Sequence, residues 1–144
     1  AAAFLRRNGA DVTRVRKLFR DNMAEYQAKA EAVRRAEVYR GVFAISTCPS
    51  EGLASPTIVG AQAANDLLEI NGIKASVVLT EYNHIIYVSA RSIDEVNVQV
   101  MTELLGGGGH RAVAGAQLTG MTMDEARAKI KIAIDEMLEK GEVS

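Results

Sequence analysis

Four consecutive glycines, Gly106, Gly107, Gly108 and Gly109, stand directly before His110 in the stretch ELLGGGGHRAVAG over residues 103–115. Such a run costs backbone entropy on folding and packs no side chain. It therefore implies a place where the backbone comes very close to something, either a ligand or another part of the protein. A helix C-cap needs one glycine, Gly106, and leaves Gly107, Gly108 and Gly109 to be explained. Successive glycines can also turn several N–H groups toward one point, forming an anion nest. His110 would then add a donor at the edge of the nest, and a cation when protonated. The run is not a phosphate loop, which continues Gly-Lys-Ser/Thr, because His110-Arg111-Ala112 follows. Nor is it a dinucleotide fingerprint, because the pattern before it is helical rather than a strand.

Arg91 is the second candidate. It lies in Ser89-Ala90-Arg91-Ser92, where an apolar strand pattern meets a helix start. Between residues 41 and 120 the Lys and Arg residues are Lys74, Arg91 and Arg111. Two of those cations therefore flank the strand end and the glycine loop. An Arg beside a helix N-terminus is placed to fork onto a phosphate. The structural alternatives are an ion pair to Asp94 or Glu95 for Arg91 and a plain N-cap for Ser92. The remaining chemistry is sparse. His84 and His110 are the two histidines, and neither has metal-ligand spacing. The carboxylates fall on helix faces or at N-termini, and no group of them resembles a two-metal site. With three Phe, four Tyr and no Trp, no stacking platform for single strands is evident. Cys48 stands in Cys-Pro-Ser and reads as an inert loop thiol, and a single cysteine excludes an internal disulfide. Such a chain can hold an anionic ligand but cannot by itself activate water.

The elements that must position these residues follow from periodicity. Residues 2–7 resemble the end of a helix stopped by Asn8-Gly9, which reads as a fragment of something longer. Asp11 can cap a helix with Val12, Val15, Leu18 and Phe19 on one face, and a second helical pattern follows with Met23, Tyr26, Ala30 and Val33. Residues 38–46 read as one buried strand. Ser55-Pro56 starts a helix whose stripe is Val59, Ala63, Leu67 and Ile70, ended by Asn71-Gly72. Residues 75–80 and 84–90 are strands joined by a hairpin at residues 81–83. Ser92 and Glu95 fit a capping box, opening a helix with Ile93, Val96, Val100 and Leu104 on one side. After the glycines, residues 112–118 read as a turn and a strand. Thr122 and Glu125 fit another capping box before a helix burying Ala126, Ile130, Ala133, Ile134, Met137 and Leu138. The expected fold is α/β (α+β): a mixed sheet of about four or five strands packed against helices, preceded by a helical linker. The division is a connector over residues 1–36 and a ligand-binding domain over residues 37–144.

At 144 residues, 48% hydrophobic and 24% charged, the chain suits one ordinary globular domain. No apolar run approaches the roughly 20 residues that span a bilayer, and no signal peptide is visible. Charge is uneven: the Lys and Arg residues crowd the first forty positions, while the rest is acidic. The interleaving of acids and bases at helical spacing favours a solvated helix over a nucleic-acid arm.

The strand end Ser89-Ala90-Arg91-Ser92, followed downstream by Gly107-Gly108-Gly109-His110 and Ala114-Gly115, resembles the C-terminal substrate-binding domain of the DHH phosphoesterases. That superfamily includes RecJ exonucleases, nano-RNases and cyclic-di-AMP phosphodiesterases. The connector over residues 4–41, with STCPSEG and LLGGGGHRAVAGAQL, looks most like the GdpP-type cyclic-di-AMP phosphodiesterases. The resemblance implies a divided site. A preceding DHH lobe, absent from this sequence, would hold a pair of Mn2+ ions that activate water to open the cyclic dinucleotide to linear pApA. This chain would supply the opposite jaw, with Arg91, Gly107, Gly108, Gly109, His110, Ser89 and Ser92 contacting the substrate. No catalytic residue and no metal ligand is expected in it, and alone it is expected to be inactive. The resemblance also implies a signalling protein anchored in the bacterial membrane, with this part cytoplasmic and out of direct membrane contact. Two other readings stand beside it. One is an oligonucleotide-binding module of the RecJ or nano-RNase kind. The other is a dimerisation module, with the Met23, Tyr26, Ala30 and Val33 stripe as a homodimer interface.

Overall fold

A computed structural model describes residues 9–93 and 96–140. The elements are α1 (Gly9–Arg35), β1 (Glu37–Tyr39), β2 (Phe43–Thr47), α2 (Pro56–Leu67), β3 (Ala75–Tyr82), β4 (Ile85–Ser92), α3 (Val98–Leu104), β5 (Gly108–Gly109), β6 (Val113–Leu118) and α4 (Met123–Glu139). The strands form one six-stranded sheet in the order β1-β2-β3-β4-β6-β5. Among the described strands the β2–β3 pair alone is parallel, as its α2 crossover requires. The fold is the expected mixed sheet with helices, with six strands where about four or five were expected.

Alternation along the strands sends successive residues to opposite faces. Phe43, Ile45, Val77, Leu79, Ile86 and Val88 join Met101 of α3 and Ile130, Ile134 and Met137 of α4 in one core. Ala44 and Val78 face the other way, into a smaller core with Ala28 and Ala32 of α1 and Val59, Ala63 and Leu67 of α2. The sheet is thus sandwiched, α3 and α4 on one face, α1 and α2 on the other.

Several local expectations are corrected. The two expected helices before residue 36 are one, α1, with Asp11 inside it rather than capping it. The expected helix end over residues 2–7 lies outside the described residues. The single strand expected over residues 38–46 is the antiparallel pair β1–β2, reversed at Arg40 and Gly41, whose φ values are 55° and 80°. A hydrophobic count cannot see that turn, because Arg40 is not a residue that favours positive φ. α2 begins at Pro56 as expected, but the Ser55 side chain makes no cap bond, and the helix ends at Leu67, so Ile70 lies outside it. The β3–β4 hairpin turns at Asn83 and His84, with φ values of 52° and 64°, a two-residue turn of the primed kind. The capping box at Thr122 and Glu125 forms.

The largest correction concerns Ser92. It does not open a helix; it ends β4, and its hydroxyl donates to the carbonyls of Val96 and Arg111 at 2.6 and 3.2 Å. Glu95, its expected partner, lies outside the described residues. α3 starts later, capped by the Asn97 side chain, which accepts from the Gln99 N–H. Its buried residues are Val98, Met101 and Thr102, while Ile93 and Leu104 are exposed.

Candidate functional site

Two strands carry the site. β4 alternates strictly: Ile86, Val88, Ala90 and Ser92 are buried, and Ile85, Tyr87, Ser89 and Arg91 point to the opposite face, half-exposed. β6 lies alongside, with Tyr87 opposite Gln117, Ser89 opposite Gly115 and Arg91 opposite Val113. These pairs occupy the face that α1 and α2 cover. α2 lies over β3 and reaches β4, but Tyr87, Ser89 and Arg91 stay only half-buried beneath it, so a strip of sheet stays open. Side chains two residues apart on a strand stand about 6.7 Å apart, so Tyr87, Ser89 and Arg91 form a polar file along the strip.

Glycines set its walls. A Cβ on Gly60 would stand 2.2 Å from the Thr80 hydroxyl, so only glycine lets α2 sit this close to β3. The first turn of α2 then reaches the edge of the strip. Its N-cap makes no side-chain bond, which leaves the positive end of the helix dipole turned toward that edge. On the other side is the glycine run. Gly106, at φ 86°, takes the left-handed C′ position of α3, and its N–H donates to Glu103 O at 3.0 Å. The Gly107 N–H donates to Thr102 O at 2.8 Å. Together these make a Schellman cap. A Cβ on Gly107 would fall 2.1 Å from Gly115 O, and one on Gly109 would fall 2.5 Å from the Ala114 Cα. A Cβ on Gly108 meets nothing within 4 Å. Gly107 and Gly109 therefore exist to press the backbone onto β6, while Gly108 is open on its free side. The His110 N–H donates to Val113 O at 2.7 Å. With the N–H groups of Gly106, Gly107 and His110 turned inward, the run does not form the nest that the glycines alone suggested.

Between these walls is a groove of about 470 Å³ lined by Thr57, Tyr87, Ser89, Gly107, Gly115 and Gln117 among others. Ser89 and Gly115 face each other across the strand pair in it. Glycine at position 115 leaves the floor without a side chain. The groove has the size of a small-molecule site.

The expected site residues divide. Ser89 and Gly107 line the groove. Arg91 stands one step further along the same face of β4. Its Nη1 donates to Ala90 O at 2.9 Å and to Ala114 O at 3.4 Å. Burial lowers its pKa from the ordinary value, yet a guanidinium remains a cation in a protein and has five donors to offer. Gly108 and Gly109 form β5 at the sheet edge, and His110 is exposed just beyond them. Ser92 is not with the others: it points to the opposite face of β4, with its hydroxyl engaged. Thr57, Tyr87, Gly115 and Gln117 were not legible as site residues. Only the strand register brings them there, and the sole signal was the glycine in a strand pattern at position 115, which marks a close approach.

Among the described residues, no group of three or more His, Cys, Asp or Glu side chains could hold a metal ion. Burial raises the Cys48 thiol, which disfavours a reactive thiolate. No helix among the described residues is long and apolar enough to cross a membrane.

A family model described as the DHHA1 domain matches residues 46–140. The chain is 38% identical over 142 residues to the cyclic-di-AMP phosphodiesterase GdpP of Geobacillus thermodenitrificans, covering 98% of this chain and 21% of that protein. It is 38% identical over 136 residues to the cyclic-di-AMP phosphodiesterase PdeA of Listeria monocytogenes, covering 94% of this chain and 20% of that protein. The chain thus spans about a fifth of the length of these curated relatives. Among solved structures, an exopolyphosphatase-related protein from Bacteroides fragilis superposes with a TM-score of 0.65 at 21% identity, covering 79% of this chain and 35% of that one. This likeness concerns the fold.

Proposed function

The chain belongs to the DHHA1 domain family, and on that premise we propose that it is the substrate-binding lobe of a membrane-anchored cyclic-di-AMP phosphodiesterase. The groove beside the glycine run carries this reading. It lies on the open strip of the sheet, between a helix N-terminus and the Gly107 backbone, with Ser89 inside it and Arg91 next in file. Each feature favours an anion: the helix end by its dipole, Arg91 by its charge and fork. The expected division of contacts follows. Arg91 holds a phosphate, the free side of Gly108 admits the same group to the backbone, and the exposed His110 donates from the rim. Ser89 offers its hydroxyl from the groove. Ser92 acts at one remove, holding the backbone at Val96 and Arg111 behind the strand.

The described residues do not fit the metals that the reading implies, since they contain no donor set. The pair of Mn2+ ions and the water they activate are assigned to a DHH lobe elsewhere in the parent protein, and no chemical step is derived for this chain. Binding, orientation and partial exclusion of water are its contributions. Titration of cyclic-di-AMP against this chain and its Arg91→Ala and His110→Ala variants tests the reading. Each variant is expected to bind at least about tenfold more weakly, the loss of a charge-assisted hydrogen bond. Unchanged affinity in both would remove these residues from the site. The oligonucleotide reading predicts a steep loss of affinity with salt, because a strand releases many counterions. A ligand confined to this groove gives a shallow slope.

A further inference from the structure

The groove beside the glycine run is lined without charge. Thr57, Tyr87, Ser89, Gly107 and Gln117 are among its described lining residues, and none of that lining is an acid or a base. Arg91, by contrast, stands one step outside it along the same face of β4. If Arg91 takes a phosphate, as proposed above, the groove itself receives a neutral part of the same ligand. Its volume of about 470 Å³ suits a nucleoside-sized group.

The strand register orders this surface into rows. Arg91 lies opposite Val113, Ser89 opposite Gly115, and Tyr87 opposite Gln117, with successive rows about 6.7 Å apart. The middle row is low, a serine beside a residue with no side chain. The end row is high, an aromatic ring beside a long amide. One row is the step that a ribose makes between a phosphate and its base. A phosphate at Arg91 therefore sets its base above Ser89 and Gly115, against Tyr87 and Gln117.

Opposed residues on an antiparallel pair have Cβ atoms about 5 Å apart, so one base reaches both side chains. Gln117 is exposed. Among the described residues neither its amide nor the Tyr87 hydroxyl has a hydrogen-bond partner. A glutamine amide presents a donor and an acceptor side by side. They match N7 and the N6 amino group of adenine, whereas guanine offers two acceptors, N7 and O6, at that edge. An aromatic ring stacks on any base. We propose, resting on the reading of the groove as a cyclic-di-AMP site, that it seats one adenine of the ligand. Tyr87 stacks on the base and supplies affinity without preference. Gln117 pairs with the N6/N7 edge and selects adenine over guanine.

Calorimetric titration of the chain with cyclic-di-AMP and cyclic-di-GMP is expected to favour the adenine ligand by at least about fivefold, the low end for one bidentate base contact. Gln117→Leu should bind the two ligands alike. Gln117→Arg should reverse the preference, because arginine pairs with N7 and O6 of guanine. Tyr87→Val should weaken both ligands about fivefold or more, the loss of one stacked base, and Tyr87→Phe, which keeps the ring, should restore the affinity. The chain has no tryptophan, so Tyr87→Trp introduces a single indole whose emission a stacked base should quench. Circular dichroism should show every variant folded as the unaltered chain is, since these side chains are outside the core. Suppose Arg91→Ala loses the ligand while the Gln117 variants keep the original preference. The base then lies elsewhere, and the proposal falls with the phosphate reading intact. Equal affinity of the unaltered chain for the two ligands overturns it as well. So does ligand binding that leaves the emission of the Tyr87→Trp variant unchanged. A chain that binds neither ligand at millimolar concentration overturns both this seat and the reading on which it rests.

Discussion

The two faces of the sheet are made from alternate residues of the same strands, yet they are finished differently. On one, α3 and α4 close over Phe43, Ile45, Leu79, Ile86 and Val88, all of them buried. On the other, α1 and α2 stop short, leaving Tyr87, Ser89 and Arg91 half-exposed beside Gln117. The closed face holds the large side chains and most of the hydrophobic stabilisation. The open face holds the groove. The same β4 strand serves both, so a single residue step separates a core position from a ligand position: Ala90 is buried, and Arg91 next to it is not. Function here occupies the part of the sheet that packing leaves over.

That contrast can be broken most forcefully at Ile134, which is fully buried on α4. Ile134→Ala should cost about 2–5 kcal/mol by the loss of buried methylenes and the cavity left behind. Urea denaturation checks the cost, and the protein that remains folded should bind ligand normally. Loss of binding in the folded fraction would mean that the two faces are coupled.

Next in size is the glycine run, where the two roles meet within three residues. Gly107→Ala drives a Cβ into the Gly115 carbonyl, so it should cost about 1–3 kcal/mol as an overpacked contact and also displace the groove wall. Gly108→Ala, with open space at its Cβ, should leave the melting temperature within a degree or two and weaken only cyclic-di-AMP binding. Equal destabilisation by both substitutions would refute the division of the run into packing and ligand glycines.

On the open face, Arg91→Ala should reduce affinity by about 1.5–3 kcal/mol, the range for a hydrogen bond to a charged group, with thermal stability little changed. Calorimetry of the same preparation gives both numbers.

The smallest effect is electrostatic. Glu37 on β1 pairs with Arg127 and Lys131 of α4 at 2.9 and 3.1 Å. The hydrogen bond from Arg127, then that from Lys131, holds its carboxyl below the ordinary carboxylate value against the opposing effect of burial. A depressed folded pKa gives stability that is present above the unfolded value, 4.5, and is lost as pH falls through the folded one. Being partly exposed, the pair should contribute less than about 1 kcal/mol. Glu37→Gln should flatten the acid limb of the stability profile below that pH and leave ligand binding unchanged.

Much of this molecule was legible in its sequence. Thr122 and Glu125 announced α4, the small apolar stripe of α2 announced its packing, and the β-rich run over residues 84–90 announced β4, though not its end at Ser92. The glycine run announced close approach, and Arg91 announced charge at a strand end. These are local signals, fixed by periodicity, capping chemistry and backbone freedom within a few residues. What lay between them was not legible. The turn at Arg40 and Gly41 hid inside an apolar run, and Ser92 carried the pattern of a cap while its hydroxyl was committed to Val96 and Arg111. Sequence determined that four glycines were needed. Only the pairing of β6 between β4 and β5 decided what each one is for, because a missing Cβ has meaning only through the atoms that would meet it. Gly106 turns a helix end, Gly107 and Gly109 lie against β6, and Gly108 faces open space.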